Sequence, residues 1–376
     1  MSNARELAQI PSTPSGRRNL IINGAMQVAQ RGTSSSGKTS GGYYATDRWG
    51  ITIDNMGTWT ISQETDAPDG SGLTNSTKFL CTTADASPAS GDASICFTRF
   101  EGQDLQFLEK GTSAAKSVTV SFWVKSSTTG TYILELYDND NARHINKSYT
   151  INSSATWEKK EITFAGDTNS GDTFGNDANL SLIVNWWLGA GSAYQSGTLA
   201  TSWQEYATAD RVVGQVNVAG ANNNYFQVTG VQLEVGSVAT EFEHRSFGEE
   251  LALCQRYYYR AADGSIDTDE AGLGLCYAHS DGEYRSAIQF PVQMRDIPSL
   301  DSPTVTDGYR FVTGASSTST SQVVDSITIA YPNWNNKRRC LITSGTGQPD
   351  LNAGGKSGYF QIYNSTTAYV AFDAEL

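Results

Sequence analysis

The feature that most constrains this chain is a period of two. Between Ser117 and Lys125 (SVTVSFWVK), Val118, Val120, Phe122 and Val124 fall on one side of an extended backbone. Thr119, Ser121, Trp123 and Lys125 fall on the other. Thr131–Tyr137 repeats the pattern, setting Tyr132, Leu134 and Leu136 against Ile133, Glu135 and Tyr137. Leu180–Trp187 places Leu180, Leu182, Val184 and Trp186 together, and Tyr225–Val235 is a further segment of this kind. Clusters of Gly, Asn, Asp and Ser separate these stretches. Short strands with one apolar face and such breakers between them predict an all-β fold, a sandwich of antiparallel sheets. No repeat of 20–50 residues argues for a propeller or solenoid.

One segment departs from this period. Ser246-Phe247-Gly248-Glu249 has the S/T-x-x-E pattern of a helix start. Phe247, Leu251, Cys254 and Tyr258 then recur at helical spacing, with Leu253 and Tyr257 widening the stripe. A linker helix is predicted over 246–260. Beyond it the β-like text resumes, at Ala271–Ala278, Tyr284–Val292, Ser321–Tyr331, Gly358–Tyr363 and Thr367–Phe372. Residues 1–18, rich in Ser, Pro, Thr, Gly and Arg, read as a flexible N-terminal arm. The expected organisation is an arm (1–18), a β-sandwich (19–245), the linker helix (246–260) and a smaller C-terminal β domain (261–376). A length of 376 residues accommodates two such domains.

Charge narrows the function. Twenty-six basic against 39 acidic residues give a net charge of −13, the wrong sign for a nucleic-acid or anionic-membrane binder. No run of about 18 apolar residues is present, so no membrane insertion is expected. The start of the chain lacks the apolar segment of a secretory leader. Cys81, Cys96, Cys254, Cys276 and Cys340 are odd in number and scattered. They read as buried free thiols of a protein made in a reducing cytoplasm, without a disulfide framework or zinc site.

Chemical motifs are weak. Gly32–Thr39 spells G-x-x-x-x-G-K-[ST], but Ser40, Gly41, Gly42, Tyr43 and Tyr44 follow where a phosphate cradle needs a helix. A near-match at Gly355-Lys356-Ser357 has Asp350 in place of the first glycine. Asp167–Asp172 starts like a calcium loop and ends on Ala178 where a glutamate is required. Asp263, Asp267, Asp269 and Glu270 read as a solvated acidic turn. His144, His244 and His279 lie far apart with no HExxH or GxSxG partner. No metal, cofactor or catalytic residue is assigned, and among so many acids no hydrolytic pair stands out.

Aromatic residues carry the positive signal. Eight Trp, 18 Tyr and 14 Phe exceed what the core faces consume. If Phe122 and Trp186 point inward, Trp123, Tyr137 and Trp187 project from the opposite faces of their strands. Sugar rings stack on such side chains, which makes these three the glycan-binding candidates. The alternative is that loops or a neighbouring subunit cover them. Phe247, Leu251, Cys254 and Tyr258 are the corresponding candidates for oligomerisation, with a homotrimer expected. The alternative there is a helix that caps its own sandwich.

Several stretches carry a family resemblance. Asn19-Leu20-Ile21-Ile22-Asn23-Gly24, Gln30-Arg31-Gly32 and Ala45-Thr46-Asp47-Arg48-Trp49 resemble the opening of modules in bacteriophage tail-fibre and related virion proteins. Val118–Ser126 and Trp157–Phe164 continue the likeness, and Val228–Tyr258 is its most specific part. Phe290-Pro291-Val292, Met294-Arg295 and Pro298 resemble the start of the domain that commonly follows. The likeness covers about residues 19–300. Such modules are similar to jelly-roll carbohydrate-binding modules. The resemblance therefore implies a virion-surface protein, a tail-fibre or spike subunit that meets other virion proteins and host-surface glycans without being an enzyme. A capsid or tail decoration protein and a virion glycan hydrolase are the alternatives. Relatives of this kind often hold a structural calcium after the Asn-Gly and near the final strand. Here those places read Ala25-Met26-Gln27 and Thr229-Gly230, without carboxylates.

Overall fold

The alternating segments form strands and the breakers between them form turns in a computed structural model. It describes residues 17–264, 272–280, 283–313, 320–330, 335–344, 357–363 and 365–376. Two compact units divide the chain, one ending at Glu250 and the other running from Leu251 to Glu375.

The first unit contains β1 (Ser34–Lys38), β2 (Gly42–Tyr43), β3 (Gly50–Asp54), β4 (Thr58–Glu64), β5 (Ser76–Thr83), β6 (Ala93–Glu101) and β7 (Val118–Ser126). It continues with β8 (Gly130–Asp138), β9 (Arg143–Ile151), β10 (Glu158–Phe164), β11 (Leu180–Ala190), β12 (Gln204–Glu205) and β13 (Tyr225–Val235). These build a six-stranded sheet, β1-β4-β5-β13-β7-β10, and a seven-stranded sheet, β12-β9-β8-β11-β6-β3-β2. The chain crosses between the layers repeatedly, and β13 returns late to lie between β5 and β7. This is an antiparallel jelly-roll sandwich. Its core is the set of inward positions that alternation identifies: Val118, Val120, Phe122 and Val124 from one layer, Tyr132, Leu134, Leu136, Leu182, Val184 and Trp186 from the other. Phe122 meets Trp186 edge-on across the layers, with ring centroids 5.7 Å apart.

The residues of the virion-module resemblance form a buried polar staple. Asn23 adopts a left-handed backbone (φ 57°), which asparagine tolerates. Its amide nitrogen donates to the Val28 and Asp47 carbonyls at 2.8 and 2.9 Å, and its backbone N–H donates to Glu250 Oε1 at 2.6 Å. Trp49 Nε1 donates to the Asn23 carbonyl at 3.1 Å. Asn19 Oδ1 accepts from the Leu233 backbone at 3.1 Å, and Asn19 Nδ2 donates to the Val231 carbonyl at 3.0 Å. Gly24 is required by this close approach, because a Cβ there would sit 2.2 Å from the Val231 carbonyl oxygen.

The single α-helix among the described residues, α1 (Phe247–Gln255), spans the division between the units. Ser246 caps it, its hydroxyl accepting from the Glu249 N–H at 3.3 Å, while the Glu249 carboxylate turns to Arg17 at 3.1 Å. The helix stops at Gln255 rather than near 260. The Tyr257 N–H closes a turn on the Cys254 carbonyl, and the aromatic run that follows enters a strand. The second unit holds β14 (Tyr258–Asp263), β15 (Gly272–Ser280), β16 (Glu283–Gln289), β17 (Ser299–Asp301), β18 (Tyr309–Thr313) and β19 (Thr320–Val324). Beyond these lie β20 (Thr328–Ile329), β21 (Arg339–Thr343), β22 (Ser357–Ile362) and β23 (Tyr369–Asp373). They pair antiparallel as β14-β23-β17 and as β19-β18-β22-β15-β16-β21-β20. Tyr284, Phe311, Phe360 and Ile342 lie in the core of this unit. None of the five cysteines is in a disulfide, and all are buried. The expected arm falls almost wholly outside the described residues, as do Asp267, Asp269 and Glu270 and the Gly355-Lys356 near-match.

Candidate functional site

The seven-stranded sheet turns Glu135, Asn185, Trp187 and His144 away from the core, on adjacent strands. Glu135 stands opposite Asn185 on β11, and Tyr137 opposite His144 on β9. Glu135 is fully buried. Its carboxylate accepts two bonds from Arg211, at 2.7 and 2.6 Å, one from Asn185 at 2.9 Å and one from Trp187 Nε1 at 3.0 Å. Burial works to raise its pKa, but the Arg211 charge and these donors outweigh it and hold the group at about 2. The Arg211 guanidinium lies 4.7 Å from the Trp187 ring centre, 5.2 Å from Tyr206, 5.6 Å from Tyr137 and 5.9 Å from Tyr194. The chain between β11 and β13 lies over this face, with Gln215 bonded to the Ile133 N–H and the Trp187 carbonyl.

This corrects one expectation. Trp187 points away from the sandwich core but is fully buried in a second small core with Ile95, Ile133 and Val212. Sequence reasoning missed Glu135 and Arg211, since an acid alternating with Ile133 and Tyr137 reads as solvated. A usable signal was present in the outward apolar row Ile95, Ile133 and Trp187, which is costly to leave in water.

The six-stranded sheet presents a different face. Trp123 projects outward from β7 and is half-buried, with Lys125 two residues on. Asp66 accepts from the Lys125 ammonium, from Trp157 Nε1 at 3.2 Å and from Gln227 Nε2 at 3.1 Å. Partial burial disfavours its charge, but these bonds prevail and keep the Asp66 carboxyl below its ordinary pKa. Lys125 Nζ stands 5.1 Å from the centre of the half-buried Trp157 ring. Beside this cluster the loop from Thr65 to Asn75 encloses an open groove of about 470 Å³, lined by Thr65, Ala67, Pro68, Asp69, Leu73 and Asn75 among others. Leu73 and Trp123 converge over Gly230 (φ 59°), where a Cβ would lie 2.6 Å from one and 3.1 Å from the other. Carboxylates, an amide and hydroxyls beside indole and aliphatic surface can hold a polyhydroxylated ligand.

The three glycan-binding candidates therefore do not share a site. Trp123 belongs to one sheet, Tyr137 and Trp187 to the other. The four oligomerisation candidates also separate. Phe247 is exposed, Leu251 half-buried and Cys254 buried. Tyr258 is buried on β14 rather than on the helix, its hydroxyl donating to Asp301 at 2.9 Å. They form no continuous open stripe.

Among the described residues, no group of three or more His, Cys, Asp or Glu is placed to hold a metal. The calcium implied by the resemblance does not fit its two expected places. Ala25 and Met26 are buried apolar residues, and Gly230 carries no ligand. The Gly32–Thr39 stretch forms the edge strand β1 against β4.

Neither a protein-family model nor a curated protein matches the chain. Solved structures do. One is the enzymatically active domain of tailspike protein 4 of bacteriophage CBA120, at 12% identity and TM-score 0.32, covering 58% of this chain and 21% of that one. A family 4 carbohydrate-binding module matches at 13% identity and TM-score 0.29, covering 57% of this chain and 99% of its own. A family 61 module, solved with β-1,4-galactotriose, matches at 9% identity and TM-score 0.29, covering 58% and 100%. This chain thus spans about a fifth of the tailspike structure and the whole of the two modules. At such scores the likeness assigns no residue a role.

Proposed function

We propose that this chain is a non-enzymatic bacteriophage virion protein, a tail-fibre or spike subunit that contacts host-surface glycans through the outward face of the six-stranded sheet. The observation that carries the reading is Asp66, fixed by three donors between Trp157 and Lys125, at the edge of a groove with Trp123 beside it. A carboxylate already oriented by the protein accepts sugar hydroxyls at little ordering cost, and the indoles supply stacking surface. On this reading each site binds in the millimolar to micromolar range, about 4–8 kcal/mol, and adhesion comes from several copies on one particle. A homotrimer at the virion surface, made in the host cytoplasm, supplies them. Glycan-array and host-cell binding of a Trp123→Ala/Trp157→Ala variant is the test. Undiminished binding by the folded variant would refute the site.

A second reading, a capsid or tail decoration protein with a purely structural role, is favoured by one observation. On the central strand β15 and its neighbour β22, Leu275 is 81% exposed and stands opposite Tyr359, 43% exposed. Apolar surface at the middle of a sheet fits contact with neighbouring subunits. Labelled antibody on intact particles separates the two, by marking either a fibre tip or the shell.

A further inference from the structure

The Asp167–Asp172 stretch, which begins with calcium-loop spacing, holds cations supplied by the chain itself. The Lys110 side chain is 4% exposed and brings its ammonium to Asp138 Oδ2 at 2.6 Å, Asp167 Oδ2 at 3.1 Å and the Asp172 carbonyl oxygen at 2.6 Å. Arg143 Nε lies 2.8 Å from Asp167 Oδ2 and 3.1 Å from Asp172 Oδ2, so the Asp172 carboxylate is turned elsewhere. Asn141 Nδ2 orients Asp138 from 2.9 Å. The rings of Phe174 and Trp203 flank the ammonium at 5.3 and 5.4 Å. Beside the ammonium, Lys110, Asp167, Phe174 and Trp203 line a small cavity of about 20 Å³, room for about one water, and Lys110 also borders a larger one of about 260 Å³ with Gln106, Glu109, Thr112 and Thr173.

Hard oxygens gathered on one side of a compact cation make half a coordination shell. Calcium accepts the same donor types at roughly 2.3–2.6 Å and completes its shell with water. The charge arithmetic agrees: three carboxylates (Asp138, Asp167, Asp172) against two cations (Lys110, Arg143) leave −1, and loss of the ammonium leaves −2. We propose that Asp138, Asp167 and the Asp172 carbonyl form a hard-cation site that Lys110 fills from within, and that removal of its amine converts the place into a divalent-cation site of calcium type. At this place the native chain therefore needs no divalent cation, because its cation is covalently attached.

Trp203 provides a local reporter, since an indole this close sensitises terbium luminescence. The full chain and its Lys110→Ala variant are titrated with terbium under tryptophan excitation, then with calcium, and melted in calcium and in chelator. The variant is expected to show saturable emission that calcium displaces and that Lys110→Ala/Trp203→Phe lacks. Its Tm should rise by roughly 3–6 °C at tenfold excess of calcium over Kd. The native chain should show neither effect. A folded variant without emission or calcium shift, emission that survives Trp203→Phe, or an equal response in the native chain would overturn the proposal. If the variant folds only when calcium is added, that supports it. If Lys110→Ala and Lys110→Met both stay unfolded in calcium, the site does not take the cation.

Discussion

On the seven-stranded sheet, the outward residues Glu135, Trp187 and Ile133 are sealed under the chain between β11 and β13. On the six-stranded sheet, Trp123, Lys125 and Trp157 stay partly open around Asp66. Both faces arise from the same alternation of an apolar inward row with a mixed outward row. What separates them is what comes back over them. An arginine that fills an aromatic cage and pairs with a buried carboxylate turns a potential binding face into interior. A loop that stops short at Asn75 leaves a groove. Outward aromatics thus mark surface that needs a partner, and the partner can be the chain itself.

The contrast is broken most strongly at Glu135. Glu135→Ala leaves the Arg211 charge, the Asn185 amide and the Trp187 N–H without their acceptor, and should cost about 3–5 kcal/mol of unfolding free energy in denaturant titrations. A loss below 1 kcal/mol would mean that this pair does not close the face. Acid should reveal the same group. Its folded pKa, about 2, lies below the unfolded value near 4.5, so its contribution is complete above pH 4.5 and drains away as pH falls toward 2. Glu135→Gln should flatten that part of the stability–pH curve. A profile identical to the native one would refute the assignment.

On the open face the expected effects are on binding rather than folding. Trp157→Ala removes an indole, a donor to Asp66 and the platform under Lys125. It should weaken glycan binding about tenfold, roughly 1.4 kcal/mol, with a stability change under about 1 kcal/mol. A large stability loss with unchanged binding would invert the roles of the two faces. The smallest effect belongs to Tyr206, 41% exposed at the rim of the Arg211 cage. Tyr206→Ala should cost about 0.5–1 kcal/mol and leave glycan binding unaltered. A larger cost would show that the cage, more than the Glu135 pair, holds the closing segment down.

Much of this architecture is legible from the residues alone. Alternation places Val120, Phe122, Leu134 and Trp186 in the core, and Ser246 marks the helix start within one residue. The helix ends earlier than its apolar spacing suggests because Tyr257 and Tyr258 continue that spacing, whereas Tyr257 closes a turn on Cys254 and Tyr258 opens the strand paired with β23. The closing of one face was not legible, because Arg211 lies 76 residues from Glu135 in a stretch without a regular period. In the sequence, Trp157 stands out only as the start of the Trp157–Phe164 stretch of the family resemblance. Its place beside Asp66, 91 residues away, comes from the loop over the sheet.

The polar staple at the start of the sandwich has a consequence for how the molecule is made. Asn19 closes on Leu233, and the Asn23 N–H on Glu250, across 214 and 227 positions. On a ribosome adding about 5–20 residues per second, the N-terminal segment waits on the order of 10–50 s for its partners. Until β13 emerges, β5 and β7 lack the strand that joins them, and their edges stand open. Folding of this unit is therefore bound to the emergence of β13 and Glu250. Chains truncated before residue 225 should accumulate in aggregates or on chaperones rather than as partly functional sandwiches.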